Sequence, residues 1–275
     1  MTHLYVFSLG HSGSTILNIA LSSLPGALSV GEAEATIRRM DGKQHACTCG
    51  VSAPACPVWG PLFSDPELIQ NPDLTRGYRA LYGAARTTGN VDLLVDSSKH
   101  LRALQRRPAD TGVDARVIFL VKDPRGYFVS HYRKWQRTRD SGQVRFRLGL
   151  AFLTEIAVAL AGWWYGNRKI LRALRAGADP FIVLSYEDLV LDTDRTAARL
   201  GDFLGLPVTF DTFGRNPEQL HILRGNSLRH DPERSSRLVY DYRWFTDPWV
   251  HRLGFAFRPL LRWAMRRGLL STGKR

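Results

Sequence analysis

Four short apolar runs separated by stretches of helical periodicity predict an α/β fold, a three-layer sandwich with a central, mainly parallel sheet and helices on both faces. The runs cover residues 4–9, 93–96, 117–121 and 181–185, and their unbroken apolar character is that of strands buried on both sides. Each run ends in polar chemistry: Gly10-His-Ser-Gly-Ser-Thr15, Asp96-Ser-Ser-Lys99, Lys122-Asp-Pro-Arg125 and Tyr186-Glu-Asp188. Parallel sheets bind ligands at the carboxyl ends of their strands, so the four clusters point to one crevice.

The first run enters a loop holding Gly10 and Gly13, and Ile16-Leu-Asn-Ile-Ala-Leu21 leaves it with helical spacing. That is the layout of a phosphate-binding loop, which makes the sandwich P-loop-like. Small residues let backbone N–H groups converge, and a helix N-terminus adds partial positive charge. A nucleoside-triphosphatase loop carries a lysine after its last glycine. Here Ser14 follows Gly13, so the loop holds a phosphate without the residue that reaches a γ-phosphate.

Beyond a helix at 14–24, the segment Leu28-Ser-Val-Gly-Glu32-Ala-Glu34-Ala-Thr36 brings two carboxylates close behind the loop. Residues 42–72, rich in Pro, Gly and Cys, read as an excursion from the sheet, and the chain is expected to form a single domain over 1–275. Its three cysteines lie together in His45-Ala-Cys47-Thr-Cys49-Gly-Val-Ser-Ala-Pro-Ala-Cys56. A Cys₃His zinc site is conceivable, but the spacing matches none of the common frameworks, and a reducing compartment disfavours disulfides. The expectation is a turn-rich loop of small buried thiols with no metal. Further helices are expected at 74–85, 125–137, 145–175 and 193–204. Within the third of these, residues 148–165 are barely long enough for a membrane span and contain Glu155, so a buried helix is expected instead.

The 275 residues are 44% hydrophobic and 23% charged, enough for a substantial core, and carry a formal charge of +13. That excess favours anionic partners such as nucleotides, acidic glycans or an anionic lipid surface. Arginine richness also arises from genomic bias, and no specific nucleic-acid binding is expected. The N-terminus runs into the first strand without a signal-peptide pattern, giving a cytoplasmic expectation. Residues 249–275 interleave aromatics with arginines; Pro259 is expected to start a helix, with Arg258, Arg262 and Arg266 recurring on one side. Such a helix either docks on the core with a solvated basic face or makes peripheral contact with anionic membrane.

Taken in order, the clusters resemble the sulfotransferases that use 3′-phosphoadenosine-5′-phosphosulfate (PAPS), especially the carbohydrate and tyrosylprotein branch and its bacterial relatives. Two motifs carry the resemblance. His11-Ser-Gly-Ser-Thr15 is similar to the family's 5′-phosphosulfate loop, [KR]-S-G-[ST]-[ST], apart from its first residue. Lys122-Asp-Pro-Arg125, with Ser130 eight positions after the lysine, is similar to the 3′-phosphate motif, R-[DN]-x-[RK] and a serine. The resemblance runs from Leu4 to about Tyr186, with a weaker echo at Gly225-Asn-Ser-Leu-Arg229.

What it implies is residue by residue. His11, Ser12, Gly13, Ser14 and Thr15 are expected to hold the 5′-phosphosulfate, and Lys122 and Ser130 the 3′-phosphate. Arg125 either faces that phosphate or pairs with Asp123. Tyr186 either lies near the adenine or is a core tyrosine. Arg229 belongs to a late loop closing over the 3′ side. Glu32 is the expected base on the acceptor hydroxyl, with Glu34 in reserve and His100 as a second alternative. Lys99 is placed to neutralise the leaving phosphate oxygen. His11 departs from the lysine or arginine of the family, and its charge is conditional near neutral pH.

The expected reaction moves the sulfuryl group from PAPS to a hydroxyl of a glycan, glycolipid or small metabolite, leaving adenosine 3′,5′-bisphosphate. No metal is required. A P-loop kinase and a non-catalytic nucleotide-binding protein are the alternatives. The acceptor side is expected in the 42–72 excursion and the long helix bearing Trp163, Trp164 and Tyr165.

Overall fold

A computed structural model describes residues 1–40, 45–140, 148–210, 216, 218–231, 233 and 237–271. Five parallel strands form the sheet: β1 (Thr2–Phe7), β2 (Ala27–Gly31), β3 (Leu93–Asp96), β4 (Asp114–Val121) and β5 (Phe181–Ser185), in the order β2-β3-β1-β4-β5. All pairing is parallel, with Tyr5 beside Asp96 on one flank and Val117 on the other, and the β2–β3 register shifts between Ser29 and Gly31. From β1 the chain builds outward to β2 and β3 on one side, then to β4 and β5 on the other. That reversal opens a crevice at the carboxyl end of β1.

Four of the five strands coincide with the apolar runs of the sequence. β2 does not, because Ser29 interrupts its apolar character. The serine is nevertheless buried, and its hydroxyl donates to Asn18 Oδ1 on α1 (Ser14–Leu21). A polar group satisfied across elements leaves no mark in a local pattern.

Alternation along β1 splits the core. Tyr5 and Phe7 face one layer with Tyr78, Leu81 and Trp59, while Leu4 and Val6 face the other with Leu17, Leu21 and Leu200. The remaining helices are α2 (Ala33–Arg38), α3 (Gly60–Phe63), α4 (Pro66–Gln70), α5 (Leu74–Thr88), α6 (Arg102–Gln105), α7 (Pro124–Asp140), α8 (Leu148–Ala176), α9 (Tyr186–Leu191), α10 (Thr193–Leu204), α11 (Pro248–Arg252) and α12 (Gly254–Arg266). α5 and α9 start where Asp73 and Ser185 accept backbone N–H bonds at their N-termini. The 193–204 helix has the expected bounds; residues 145–147 of the expected long helix, and 42–44 of the excursion, lie outside the described residues.

Two expectations are corrected. Pro259 does not start a helix: it lies inside α12. Phe257, packed edge-on to Phe128 at 5.7 Å, anchors the turn ahead of it. The bond a proline cannot donate would link it to Phe255, and both residues are exposed. Nor is α8 buried on all sides, since Val158 and Tyr165 are more than half exposed while Trp163 is buried. Among the described residues no helix is long and apolar enough to cross a membrane. α12 docks through Phe257, Ala264 and Trp263, the last edge-on to Trp163, and Arg258, Arg262 and Arg266 are left exposed.

Candidate active site

The crevice is built from the loop after β1. Gly13 has φ 90 and caps α1, and a Cβ there would lie 2.6 Å from the Tyr186 ring. Glycine is therefore required twice, by backbone conformation and by the tyrosine against it. His11, at φ 66, is the one non-glycine residue with positive φ among the described residues. Such a backbone costs energy and is held where the site fixes it. Leu9 closes the loop from behind, against Gly166 of α8.

The lysine this loop lacks arrives from the next strand. Lys99, just past β3, sends its ammonium to the hydroxyls of Ser8 (3.2 Å) and Ser14, and Glu32 Oε1 lies 4.0 Å away. Burial lowers the Lys99 pKa, and Glu32 and Asp96 oppose that shift. Asp96 fixes the approach: it accepts bonds from Tyr78 Oη (2.9 Å), Ser98 N–H (2.7 Å) and Ala33 N–H (3.3 Å). One buried carboxylate thus ties the end of β3 to the turn that carries Glu32.

The two candidate carboxylates part company. Glu32 caps α2 from a half-buried position, and its N–H donates to the Arg224 carbonyl (3.2 Å). Glu34 is buried and bound by Arg102 at 2.5 Å and Arg38 at 3.4 Å. Only Glu32 stands beside Lys99. His100 is exposed.

On the other side of β1, Lys122 is buried under Tyr186, its ammonium 4.8 Å from the ring centroid. It donates to Asp241 Oδ2 at 2.7 Å, and the Ser130 hydroxyl reaches the same oxygen at 3.5 Å. Arg243 forks the carboxylate at 2.5 and 2.7 Å and lies 3.4 Å from Ser130 Oγ. Burial works against ionisation of Asp241, but Arg243 and Lys122 together hold its carboxyl far below the usual range. Lys122 and Ser130, the two residues expected at a 3′-phosphate, are thus brought together around the protein's own Asp241 carboxylate.

Arg125 pairs with Asp123 at 2.9 and 2.6 Å and stacks over Trp244 at 3.9 Å. Glu187 accepts the Asp123 N–H, and burial, reinforced by the Asp123 charge, pushes its pKa up to about 7. Tyr186 is a packed residue whose hydroxyl donates to the Val239 carbonyl (2.8 Å) and whose ring stacks with Tyr240. Arg229 lies toward Glu32, with Nη1 on the Gly225 carbonyl at 2.6 Å, while Arg243 reaches Ser130 and shares the Asp241 carboxylate with Lys122. The Nε of Arg229 is a buried donor with no hydrogen-bond partner.

His11 does not titrate near neutral pH. Burial is the main cause, and Lys134, His131, Lys122 and Arg137 add to it, bringing its pKa down to about 4. The ring is neutral at pH 7, although the cations around it leave the loop in a positive field. A cavity of about 300 Å³, lined by Arg107, Arg116 and Asp179, lies at the opposite, amino-terminal edge of the sheet. None of the four strand-end clusters lines that cavity.

Sequence reasoning missed Tyr240, Asp241, Arg243 and Trp244. The only signal was the dense Tyr240-Asp-Tyr-Arg-Trp-Phe245 cluster, which has no periodicity to place it.

The profile of the sulfotransferase family matches residues 4–211. Sulfotransferase 2A1 of Macaca fascicularis is 29% identical over 114 residues, 41% of this chain and 37% of the relative. The mouse enzyme of the same name is 35% identical over 95 residues, 33% of this chain and 32% of the relative. The matched segments thus span less than two-fifths of these curated relatives. The sulfotransferase domain of the Synechococcus PCC 7002 olefin synthase superposes with a TM-score of 0.53 at 20% identity, covering 94% of this chain and 93% of that domain. The sulfotransferase domain of the curacin biosynthetic pathway gives the same TM-score over 94% and 97%. At this identity the two structures speak for the fold.

Proposed function

The chain belongs to the sulfotransferase family, and we propose that it moves a sulfuryl group from PAPS to a hydroxyl of a glycan, glycolipid or small metabolite by in-line displacement. One observation carries the reading. Lys99 meets the hydroxyls of the phosphate loop with Glu32 beside it, so a cation and a candidate base converge on one anion cradle.

The residues present fit a nucleotide with two anionic ends. Gly13 leaves the loop open where a Cβ would not fit, Arg229 Nε is an unpaired buried donor, and an anion already rests on Lys122. PAPS, when bound, supplies a sulfur centre with a phosphate leaving group. The backbone from Ser12 to Thr15 and the Ser14 and Thr15 hydroxyls would hold the 5′ end, with Lys122 and Ser130 holding the 3′-phosphate beside Tyr186. The Lys99 ammonium, oriented by Ser8 and Ser14, would neutralise charge growing on the leaving oxygen. Glu32 would take the proton of the acceptor hydroxyl. His11 donates, if at all, as a neutral imidazole.

The kinase alternative is disfavoured because Ser14 occupies the place of the triphosphatase lysine. The test is label transfer from radioactive PAPS to a panel of hydroxyl acceptors, run beside thermal melts. Stabilisation by adenosine 3′,5′-bisphosphate and not by ATP with magnesium is expected. ATP-selective stabilisation without label transfer overturns the reading.

A further inference from the structure

The cysteine loop does more than pack thiols. Cys56 Sγ lies 3.7 Å from Cys47 Sγ, 3.8 Å from Cys49 Sγ and 3.2 Å from His221 Nδ1. All four ligand atoms fall within 4.8 Å of one another. Two thiolates about 2.3 Å from a tetrahedral zinc lie about 3.8 Å apart, whereas a disulfide closes to about 2.05 Å. The cluster has the first spacing. Cys47, Cys56 and His221 are buried.

The histidine is prepared for this role. Its Nε2 faces the Glu218 carbonyl at 3.1 Å, so the proton belongs there and the Nδ1 lone pair is free to face Cys56. The thiols are prepared too. Gly50, at φ 95, returns its N–H to the Cys47 carbonyl (3.0 Å), and Cys47 N–H donates to Val51 (2.8 Å), a tight turn that gathers Cys47 and Cys49. His45, the neighbour in sequence, instead faces Arg224 at 3.5 Å.

The geometry points to a structural Cys₃His zinc site formed by Cys47, Cys49, Cys56 and His221. Four protein ligands close the tetrahedron and leave no position for substrate, so the ion is a staple rather than a catalyst. Zinc binds the deprotonated thiolates, and the displaced thiol protons pass to solvent. What the staple holds is specific. Thr48 Oγ1 donates to the Leu220 carbonyl and accepts from Ile222 N–H, and Trp59 Nε1 donates to the His221 carbonyl. His221 N–H in turn donates to Ser29 of β2, and two residues after Ile222 the Arg224 carbonyl receives the N–H of Glu32. The ion would fix the 219–224 segment against β2 and so set the position of Glu32. This replaces the metal-free packing expected from cysteine spacing, and it stands whether or not the proposed reaction is correct.

The test is metal analysis of the full chain, expressed with zinc and purified without chelator. About one zinc per chain is expected, released when a mercurial reagent caps the thiols. His221→Ala and Cys56→Ser should fall below about one-tenth occupancy, while His45→Ala keeps its zinc. If the ligand variants do not fold, cobalt exchanged into the wild type should still show thiolate charge-transfer and tetrahedral d–d bands. Folded wild type holding less than about one-tenth zinc per chain overturns the site. So does a mass showing a disulfide among the three cysteines, or zinc lost in His45→Ala and kept in His221→Ala.

Discussion

Replacing Asp241 with asparagine should tighten binding of adenosine 3′,5′-bisphosphate. The carboxylate takes a 2.7 Å bond from Lys122 and a 3.5 Å contact from Ser130, the two groups proposed for the 3′-phosphate. An entering phosphate must break that bond before making its own. A hydrogen bond to a charged group contributes about 1.5–3 kcal/mol, and the amide of asparagine keeps the shape while losing the charge. Removing the competitor is therefore expected to improve affinity by about 10- to 100-fold. Adenosine 5′-monophosphate, with no 3′-phosphate, should gain far less. The same change leaves the buried Lys122 ammonium without its partner, so the free variant should be less stable and its melting point should rise more on adding the bisphosphate. Isothermal titration of both nucleotides at one fixed salt concentration measures the difference. Equal or weaker bisphosphate binding by Asp241→Asn would refute the argument, because Asp241 would then assist the nucleotide, for instance by aiming Arg243.

Three further outcomes are expected. The His11 pKa of about 4 favours the neutral ring in the fold, so its contribution is whole above about pH 6.5 and falls as the pH drops toward 4, by on the order of 2 kcal/mol after allowance for partial exposure. Urea unfolding should show that loss in the wild type and not in His11→Gln, and bisphosphate binding near pH 5.5 should take up protons as its charge raises the ring's pKa. Glu32→Gln should lower single-turnover rates by about 10²- to 10⁴-fold with little change in stability, whereas Glu34→Gln, which strips Arg102 and Arg38 of a buried partner, should lower the melting temperature more than the rate. Gly13→Ala, with φ 90 and Tyr186 at 2.6 Å, should cost at least about 2 kcal/mol and abolish nucleotide binding; a melting point within one degree of wild type would contradict it.

The places of the loop after β1, of Lys99 and of Lys122 were legible because each sits at the end of an apolar run, where strand order alone fixes the address. β2 escaped because its burial relies on Asn18 satisfying Ser29. Glu32 and Glu34 were seen together but could not be separated, since what parts them is Arg102, which lies 68 positions from Glu34. Asp241 and His221 were invisible for the same reason. They meet Ser130 and Cys56 across 111 and 165 positions, from segments without regular periodicity. Local pattern reports the scaffold, whereas the partners that tune it come from tertiary closure.

Placing the cation on β3 and the cradle on β1 also bears on how such a protein is redesigned. Their separation is set by a ladder in which Tyr5 stands beside Asp96, at the middle of five strands. The long helices and the cysteine excursion lie outside that ladder. They still touch it at defined points, Gly166 against Leu9 and Trp163 Nε1 on the Lys122 carbonyl (2.9 Å), so a graft there must keep those contacts. Ser14→Lys, for its part, would set a second ammonium against Lys99 and remove the hydroxyl that receives it.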